Sequence, residues 1–240
     1  MRIDLKRAFR RAAWGWGAAW ALGVGVASAA GPLPMADIDA RVSYETRQVM
    51  ASGVTRIDTW QERLVRRGNQ TWTERIRPPS AHAGRSHETV AEHAGHKHFN
   101  AETSARWLTL APGGQVEVRF VDAEHKVVVS VPPAEFGTVA FDGRYGGAAS
   151  IVPVAVVRAM KPVSGMSSEG QWFTDRGQGW SHRVLWSESR QLALRVESQR
   201  DDGSVRRIVT ARLLPAATGE PAPWHRLADY AHKNYDDFMD

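Results

Sequence analysis

The feature that most constrains the fold of this chain is a period-two alternation of apolar and polar residues in short segments. The pattern is clearest near the C-terminus, where Leu192, Leu194 and Val196 share one face. The dipeptide Asp202-Gly203 follows, and it is a favoured two-residue hairpin turn because it accepts positive φ at both central positions. Alternation that is bounded by turn residues predicts antiparallel strands joined by tight hairpins.

The same alternation runs through most of the chain and predicts about ten strands. The clearest predicted strands lie in 41–50, 54–66, 70–77, 116–120, 127–131, 180–187, 191–198 and 208–213. Short connections favour an antiparallel meander, which must curl or close to protect its edge strands. The predicted fold class is therefore mainly β with minor α, a half-open β-barrel over 41–215 with covering helices.

Three segments depart from the alternation. Residues 31–40 are predicted to be a linker or a short helix, and residues 78–104 are predicted to be a polar, His-rich insertion. Within 142–165, the apolar run Ile151–Met160 lies between prolines. That run fits either a short helix that covers one face of the sheet or a buried strand, because periodicity does not separate the two.

The C-terminal tail, residues 216–240, is predicted to be helical. Pro223 suits a first helical turn. Apolar residues then recur at spacings of three and four, as expected for one amphipathic stripe: Trp224, Leu227, Ala228, Ala231, Tyr235 and Phe238. A helix over 223–238 would dock either on its own barrel or on a partner protein.

Residues 1–30 have the three parts of a secretory signal peptide. A basic head ends at Arg11, an uncharged run of 16 residues spans 12–27, and small residues follow to Ala30. The run is short of the roughly 20 residues that a spanning helix needs, although an uncleaved anchor is the alternative. We therefore expect cleavage near residue 30 and a periplasmic mature protein with no membrane span.

Charge and cysteine content exclude several function classes. The signal contains five basic residues and one acidic residue, so totals of 31 and 26 fall to 26 and 25 in the mature chain. A nearly neutral mature chain lacks the basic excess typical of nucleic-acid binding. The chain has no cysteine, which excludes disulfides, thiol nucleophiles and thiolate metal sites.

The insertion holds five of the nine histidines, His82, His87, His93, His96 and His98. The spacing of His93, His96 and His98 lets their imidazoles converge on one zinc or copper ion, which neutral imidazole binds well. His87 and Glu92 could add further ligands. The alternative is a solvated loop without a metal.

No enzyme motif is complete in this chain, and no catalytic residue is predicted. A zinc-protease helix would need a histidine at position 91 after His87-Glu88, but that residue is Ala91. The segment 165–170 lacks the Gly-x-Ser-x-Gly spacing of a nucleophile elbow. The seven tryptophans of the mature chain could either pack a sheet core or line an apolar ligand cavity; they are Trp60, Trp72, Trp107, Trp172, Trp180, Trp186 and Trp224.

Two stretches, the early meander over 42–78 and the late hairpins over 179–213, resemble the periplasmic lipoprotein-carrier superfamily. It includes LolA-like carriers and the N-terminal domain of RseB (MucB)-like regulators. The resemblance implies a helix-capped half-open barrel whose apolar concave side holds acyl chains or a peptide. The expected function is therefore non-enzymatic binding of a lipid, a lipoprotein or the periplasmic face of a membrane protein, by ligand-binding residues that the resemblance does not identify. The alternatives are metal binding and delivery through the insertion, and regulation or assembly of a membrane complex through the tail.

Overall fold

The computed structural model describes residues 35–77, 101, 104–215 and 221–238. In that part of the chain, twelve strands form one sheet. The strands are β1 Ile38–Val49, β2 Thr55–Arg67, β3 Gln70–Arg75, β4 Ala105–Leu110, β5 Val116–Asp122, β6 Val127–Val131, β7 Lys161–Met166, β8 Gln171–Gly177, β9 Trp180–Ser187, β10 Leu192–Arg200, β11 Val205–Leu213 and β12 Ala231–Asn234. The helices are α1 Tyr145–Ser150 and α2 Val154–Ala159, with 3-10 helices at Pro133–Glu135, Pro223–Arg226 and Tyr235–Phe238.

The sheet joins two antiparallel meanders side by side. Its strand order is β12-β6-β5-β4-β3-β2-β1-β11-β10-β9-β8-β7. The first strand of one meander, β1, therefore pairs with the last strand of the other, β11. The chain must therefore travel from β6 near one edge to β7 at the opposite edge. The connection 132–160 makes this crossing and carries α1 and α2 over one side of the sheet. We call that side the inner face and the opposite side the outer face.

The alternation of the sequence explains which side chains lie on each face. Paired residues on neighbouring strands point to the same side, and Val42, Val196 and Val209 belong to one buried cluster with α2. The prediction of a mainly β, antiparallel fold is confirmed. The sheet is open, with β7 at one end of the strand order and β12 at the other.

Two boundaries differ from the predictions. Ile38 and Ala40 belong to β1, not to a linker or short helix over 31–40, because both are buried and Ala40 pairs with β2 and β11 at once. The run Ile151–Met160 contains α2, so the covering helix is the correct one of the two alternatives left open by the sequence.

The predicted helix over 223–238 is wrong. Trp224 and Leu227 pack on the outer face, whereas Tyr235 packs on the inner face. Between them, β12 pairs in parallel with β6 and supplies partners for the edge of that strand. Apolar residues at helical spacing thus pack on both faces of the sheet at one edge. A single straight helix could not pack on both faces.

The proposed signal, residues 1–30, and the segment 78–100 with all five clustered histidines lie outside the described residues. Within the described ranges, no helix has the length and apolar content needed to cross a membrane.

Candidate functional site

The centre of the inner face is an apolar surface that α1, α2 and their flanking residues cover. Val152, Val157 and Met160 of the cover are buried against valines of β1, β9, β10 and β11. The other half of the cover packs differently, since Tyr145 and Ala149 join the cluster of β4, β5 and β6. The cover therefore seals an apolar surface that spans both meanders.

Arg66 holds α1 on the sheet. Its guanidinium is fully buried and donates hydrogen bonds to four backbone carbonyl oxygens, at 2.9 Å to Ala36, 2.7 Å to Ala149 and 3.1 Å to Gln191, and also to Arg190. Burial lowers the pKa of Arg66 to about 10, so it stays protonated at neutral pH. A buried cation that is bonded to fixed carbonyls joins three distant parts of the chain.

Within the described ranges, no comparable polar contact holds α2. Its one ion pair, between Arg158 and Glu188 at 3.6 Å, is exposed on both sides, and exposed pairs stabilise by about 0–1 kcal/mol. Neither short helix has a side-chain cap, and six residues are too few for a helix that is stable on its own. Ile151, which joins them, has φ of 68°, a strained conformation for a β-branched residue. In the part of the chain that the structure describes, the position of α2 therefore depends on apolar contacts and this one exposed ion pair.

A charged and aromatic cluster lies on the inner face of β1, β2, β3 and β4. Tyr44 stacks on Trp60 with ring centroids 4.9 Å apart, and the Arg75 guanidinium lies 5.0 Å from the Trp60 ring. Burial raises the pKa of Glu62, against the opposing effect of Arg106. Burial and the neighbouring Glu62 raise the pKa of Tyr44 well above its ordinary value. The cluster holds charges that are partly removed from water, as sites for polar groups of ligands commonly do.

This cluster also marks the place where the His-rich insertion joins the sheet. β3 ends at Arg75, β4 begins at Ala105, and the insertion connects them. Burial lowers the pKa of Arg106, which is the second residue of β4.

A row of polar residues crosses six strands of the inner face next to the valines, toward the β10–β11 turn. His182 Nδ1 lies 2.9 Å from Ser198 Oγ, and the ring of His182 stacks at 6.0 Å on Trp180. Burial lowers the pKa of His182, so the imidazole is neutral at neutral pH. The paired members of this row are Asp58, Thr46, Arg207, Ser198, His182 and Asp175.

The row places a serine, a histidine and an aspartate on three adjacent strands, which sequence spacing did not predict. Ser198 is only 3% exposed, so its hydroxyl has no free path to a substrate. Its hydrogen bond to His182 satisfies a buried polar pair, as expected for groups inside a sheet. The burial and the hydrogen bond therefore account for the row as a structural network of the sheet.

The metal site predicted at His93, His96 and His98, with His87 and Glu92, falls outside the described residues and stays a prediction, as does a zinc or copper cofactor. Elsewhere, in the part of the chain that the structure describes, no group of three or more His, Asp or Glu side chains could hold a metal ion.

The seven tryptophans do not converge on one cavity. Trp60, Trp180 and Trp186 lie on the inner face, where the strand register places them with Tyr44, Arg200 and Ala193. The opposite face carries Trp72 and Trp107, and Trp107 stacks on Trp224 of the tail at 6.3 Å. Packing on both sides of the sheet explains these tryptophans better than one shared ligand cavity.

Sequence reasoning missed the residues that organise the inner face. Glu62 and Arg66 occupy inward positions of β2, with Leu64 between them. A charged residue at an inward position breaks the alternation, and this break was the available signal. Their partners could not be inferred, because Ala149 and Gln191 follow Arg66 by 83 and 125 positions.

No protein-family model matches the chain, and no curated protein matches it. Among solved structures, the chain is similar to PNGF-II at 8% identity and a TM-score of 0.37, covering 85% of this chain and 32% of that one. The chain thus spans about a third of that protein's length.

Two further solved structures are similar to the chain over most of their own length. One is a DUF1329 family protein from Desulfovibrio piger, at 9% identity, a TM-score of 0.37 and coverage of 78% of this chain and 88% of that one. The other is a LolA superfamily protein from Nitrosomonas europaea, at 9% identity, a TM-score of 0.29 and coverage of 79% and 92%. The latter belongs to the superfamily that the sequence resembles. Similarity at this level does not establish a shared ligand or activity.

Proposed function

We propose that the protein is a non-enzymatic periplasmic binding protein that holds an acyl chain of a lipid or lipoprotein on its inner face, beneath α2. The observation that carries this proposal is the construction of the cover. An apolar surface shared by both meanders is closed by a short helix that only apolar contacts and one exposed ion pair hold in place. Such a cover can be exchanged for a ligand of the same apolar chemistry.

The two helices of the cover have different roles in this exchange. Arg66 bonds to Ala149 and keeps α1 on the sheet, while Ile151 and Pro153 form the joint to α2. Movement of α2 removes Val157 and Met160 from the buried cluster. An acyl chain that takes their place gains about 0.8 kcal/mol for each buried CH₂ group, which offsets the cost of exposing the helix.

The charged cluster supplies the polar end of the proposed site. Arg75 and Arg106 could bind an anionic head group, since guanidinium groups bind phosphate and carboxylate through paired hydrogen bonds. Glu62 offsets part of their positive charge in the absence of ligand. This arrangement of an apolar floor beside a few charges is typical of ligand sites.

The chain's lack of cysteine allows a direct test. A single Val157→Cys variant places one thiol under α2, where the native side chain is 1% exposed. We expect slow maleimide labelling of this thiol and a clear acceleration when 11-dansylaminoundecanoic acid, a fluorescent fatty acid, is added. The same fatty acid should show energy transfer from the tryptophans of the inner face.

Val65→Cys is the matched control, because Val65 is equally buried but packs on the outer face. Its labelling should not respond to the fatty acid. Failure of the fatty acid to bind, or equal acceleration at both positions, would contradict the proposal.

A further inference from the structure

The turn between β1 and β2 gathers exposed apolar side chains at one tip. Val54 and Ile57 are 62% and 60% exposed, and Met50 and Val49 are 45% and 37% exposed. Single exposed apolar residues are ordinary on protein surfaces. Val49 and Ile57 share the outer face in the strand register, and Met50 and Val54 are joined across the turn by a backbone hydrogen bond. Exposed apolar side chains that are gathered at one tip in this way are typical of an interaction surface.

Arginines lie directly behind this tip on the outer face. Ile57 pairs in register with Arg47, and Arg47 pairs with Arg206 of β11. Like charges directly opposite each other destabilise neighbouring strands. Within the described ranges, neither arginine forms an ion pair with a carboxylate. An external anion would relieve the repulsion between them.

The same row of arginines leads into a polar groove on the outer face. The groove has a volume of about 330 Å³, and its lining includes Arg176, Arg183 and Arg206 together with Glu197, which lies 3.7 Å from Arg183. Guanidinium groups beside hydroxyl and amide groups match the chemistry of a phosphate ester. Glu197 offsets part of the positive charge of the groove. Among the described residues, Arg206 and Arg47 carry the positive charge that extends from the groove toward the apolar tip.

We propose that the β1–β2 tip and the arginines behind it dock the protein on a membrane surface that carries anionic lipid headgroups. Arg47 precedes Val49 by two residues, which places it about 7 Å behind the tip along the strand. Interfacial elements bury their apolar side about 5–10 Å into the boundary between headgroups and acyl chains. The apolar tip would enter this boundary while Arg47 and Arg206 reach the phosphates.

The size of the patch favours a bilayer over a second protein. Stable protein interfaces use about 20–30 residues on each side, far more than one turn supplies. A bilayer needs only a few apolar side chains when basic residues add attraction to anionic lipids. This inference goes beyond the proposed function and does not depend on the inner-face ligand.

Flotation of the purified protein with vesicles tests the proposal. We expect binding to vesicles of phosphatidylcholine with phosphatidylglycerol, little binding to phosphatidylcholine alone, and weakening by added salt. Val54→Ser should weaken binding about tenfold or more, because it removes an apolar side chain from the turn that enters the bilayer. Ile57→Ser should weaken binding less, because Ile57 is level with Arg47. Arg47→Gln and Arg206→Gln should each weaken it about fivefold.

Matched controls use the same residue types elsewhere on the sheet. Ile76→Ser changes another exposed isoleucine, and Arg212→Gln changes another exposed arginine of β11; neither should alter binding. A Ser52→Cys variant that carries an environment-sensitive NBD label should show a blue shift with the anionic vesicles only. All these positions are on the surface, so equal thermal unfolding temperatures should confirm that the variants fold.

Three results would overturn the proposal. The first is no binding to the anionic vesicles, and the second is full binding by Val54→Ser. The third is a dimer mass in sedimentation that reverts to monomer in Val54→Ser, because it would assign the tip to a second copy of this chain.

Discussion

Arg66 and Arg106 both place a guanidinium on the inner face, but their positive charges are stabilised in different ways. Arg66 bonds to backbone carbonyls of three separate segments, whereas Arg106 lies among Glu62, Tyr44 and the ring of Phe141. Backbone carbonyls cannot titrate or move away without unfolding. A carboxyl and a phenol can change protonation and can be replaced by a ligand. The end of the inner face around Arg66 is therefore structural, whereas the end around Arg106 and Glu62 can respond to a ligand.

The largest expected effect is on the structural end. Arg66→Met keeps an unbranched apolar side chain but leaves four carbonyls, one of them in a buried hydrogen bond, without their donor. We therefore expect a loss of about 4 kcal/mol or more in the free energy of unfolding. Urea denaturation measures it. The control Arg212→Met, at an exposed position, should change stability by less than about 0.5 kcal/mol. Equal losses of stability in both variants would contradict the structural role of Arg66.

A smaller loss of stability should distinguish a valine of the sheet from a valine of the movable helix α2. Val196 and Val157 are both about 2% exposed or less and lie in the same cluster. Val196→Ala removes packing from the sheet and should cost about 2 kcal/mol. Val157→Ala should cost less, because α2 can leave its site without global unfolding. Hydrogen exchange in 154–160 should accelerate in Val157→Ala while the strands stay protected; acceleration across the strands would contradict this.

The smallest effect should be a pH dependence of stability that arises from Glu62, at the end of the inner face that can respond to a ligand. Burial raises the folded-state pKa of Glu62 above 4.5, so the folded state binds this proton more tightly than the unfolded chain. The resulting stability is present below the unfolded-state pKa and is lost as the pH rises toward the folded-state value. We expect the unfolding midpoint in urea to fall over this range in the wild type. Glu62→Gln should lack that component, and an identical pH profile would contradict the raised pKa.

The sequence predicted the local hairpins well and the long-range contacts poorly, for physical reasons. The turn at Asp202-Gly203 and the alternation around Val196 act over a few residues. The structure confirms a turn at this place, but four residues separate β10 from β11, and Gly203, not Asp202, has positive φ. It confirms the alternation from Val196 onward, with a bulge between Ala193 and Arg195. The tail was mispredicted because Trp224 and Tyr235 meet helical spacing while they pack on opposite faces of an edge. Arg66 could not be assigned a role, because its partners become neighbours only when the whole sheet assembles.

The most direct test of the central claim is native mass spectrometry of the protein purified from periplasm. The account predicts a bound species in the mass range of lipids, which should be reduced in a variant whose inner face is disturbed, such as Val196→Ala. A bare protein mass, with no adduct under conditions that preserve other lipid carriers, would contradict the binding of an acyl chain on the inner face.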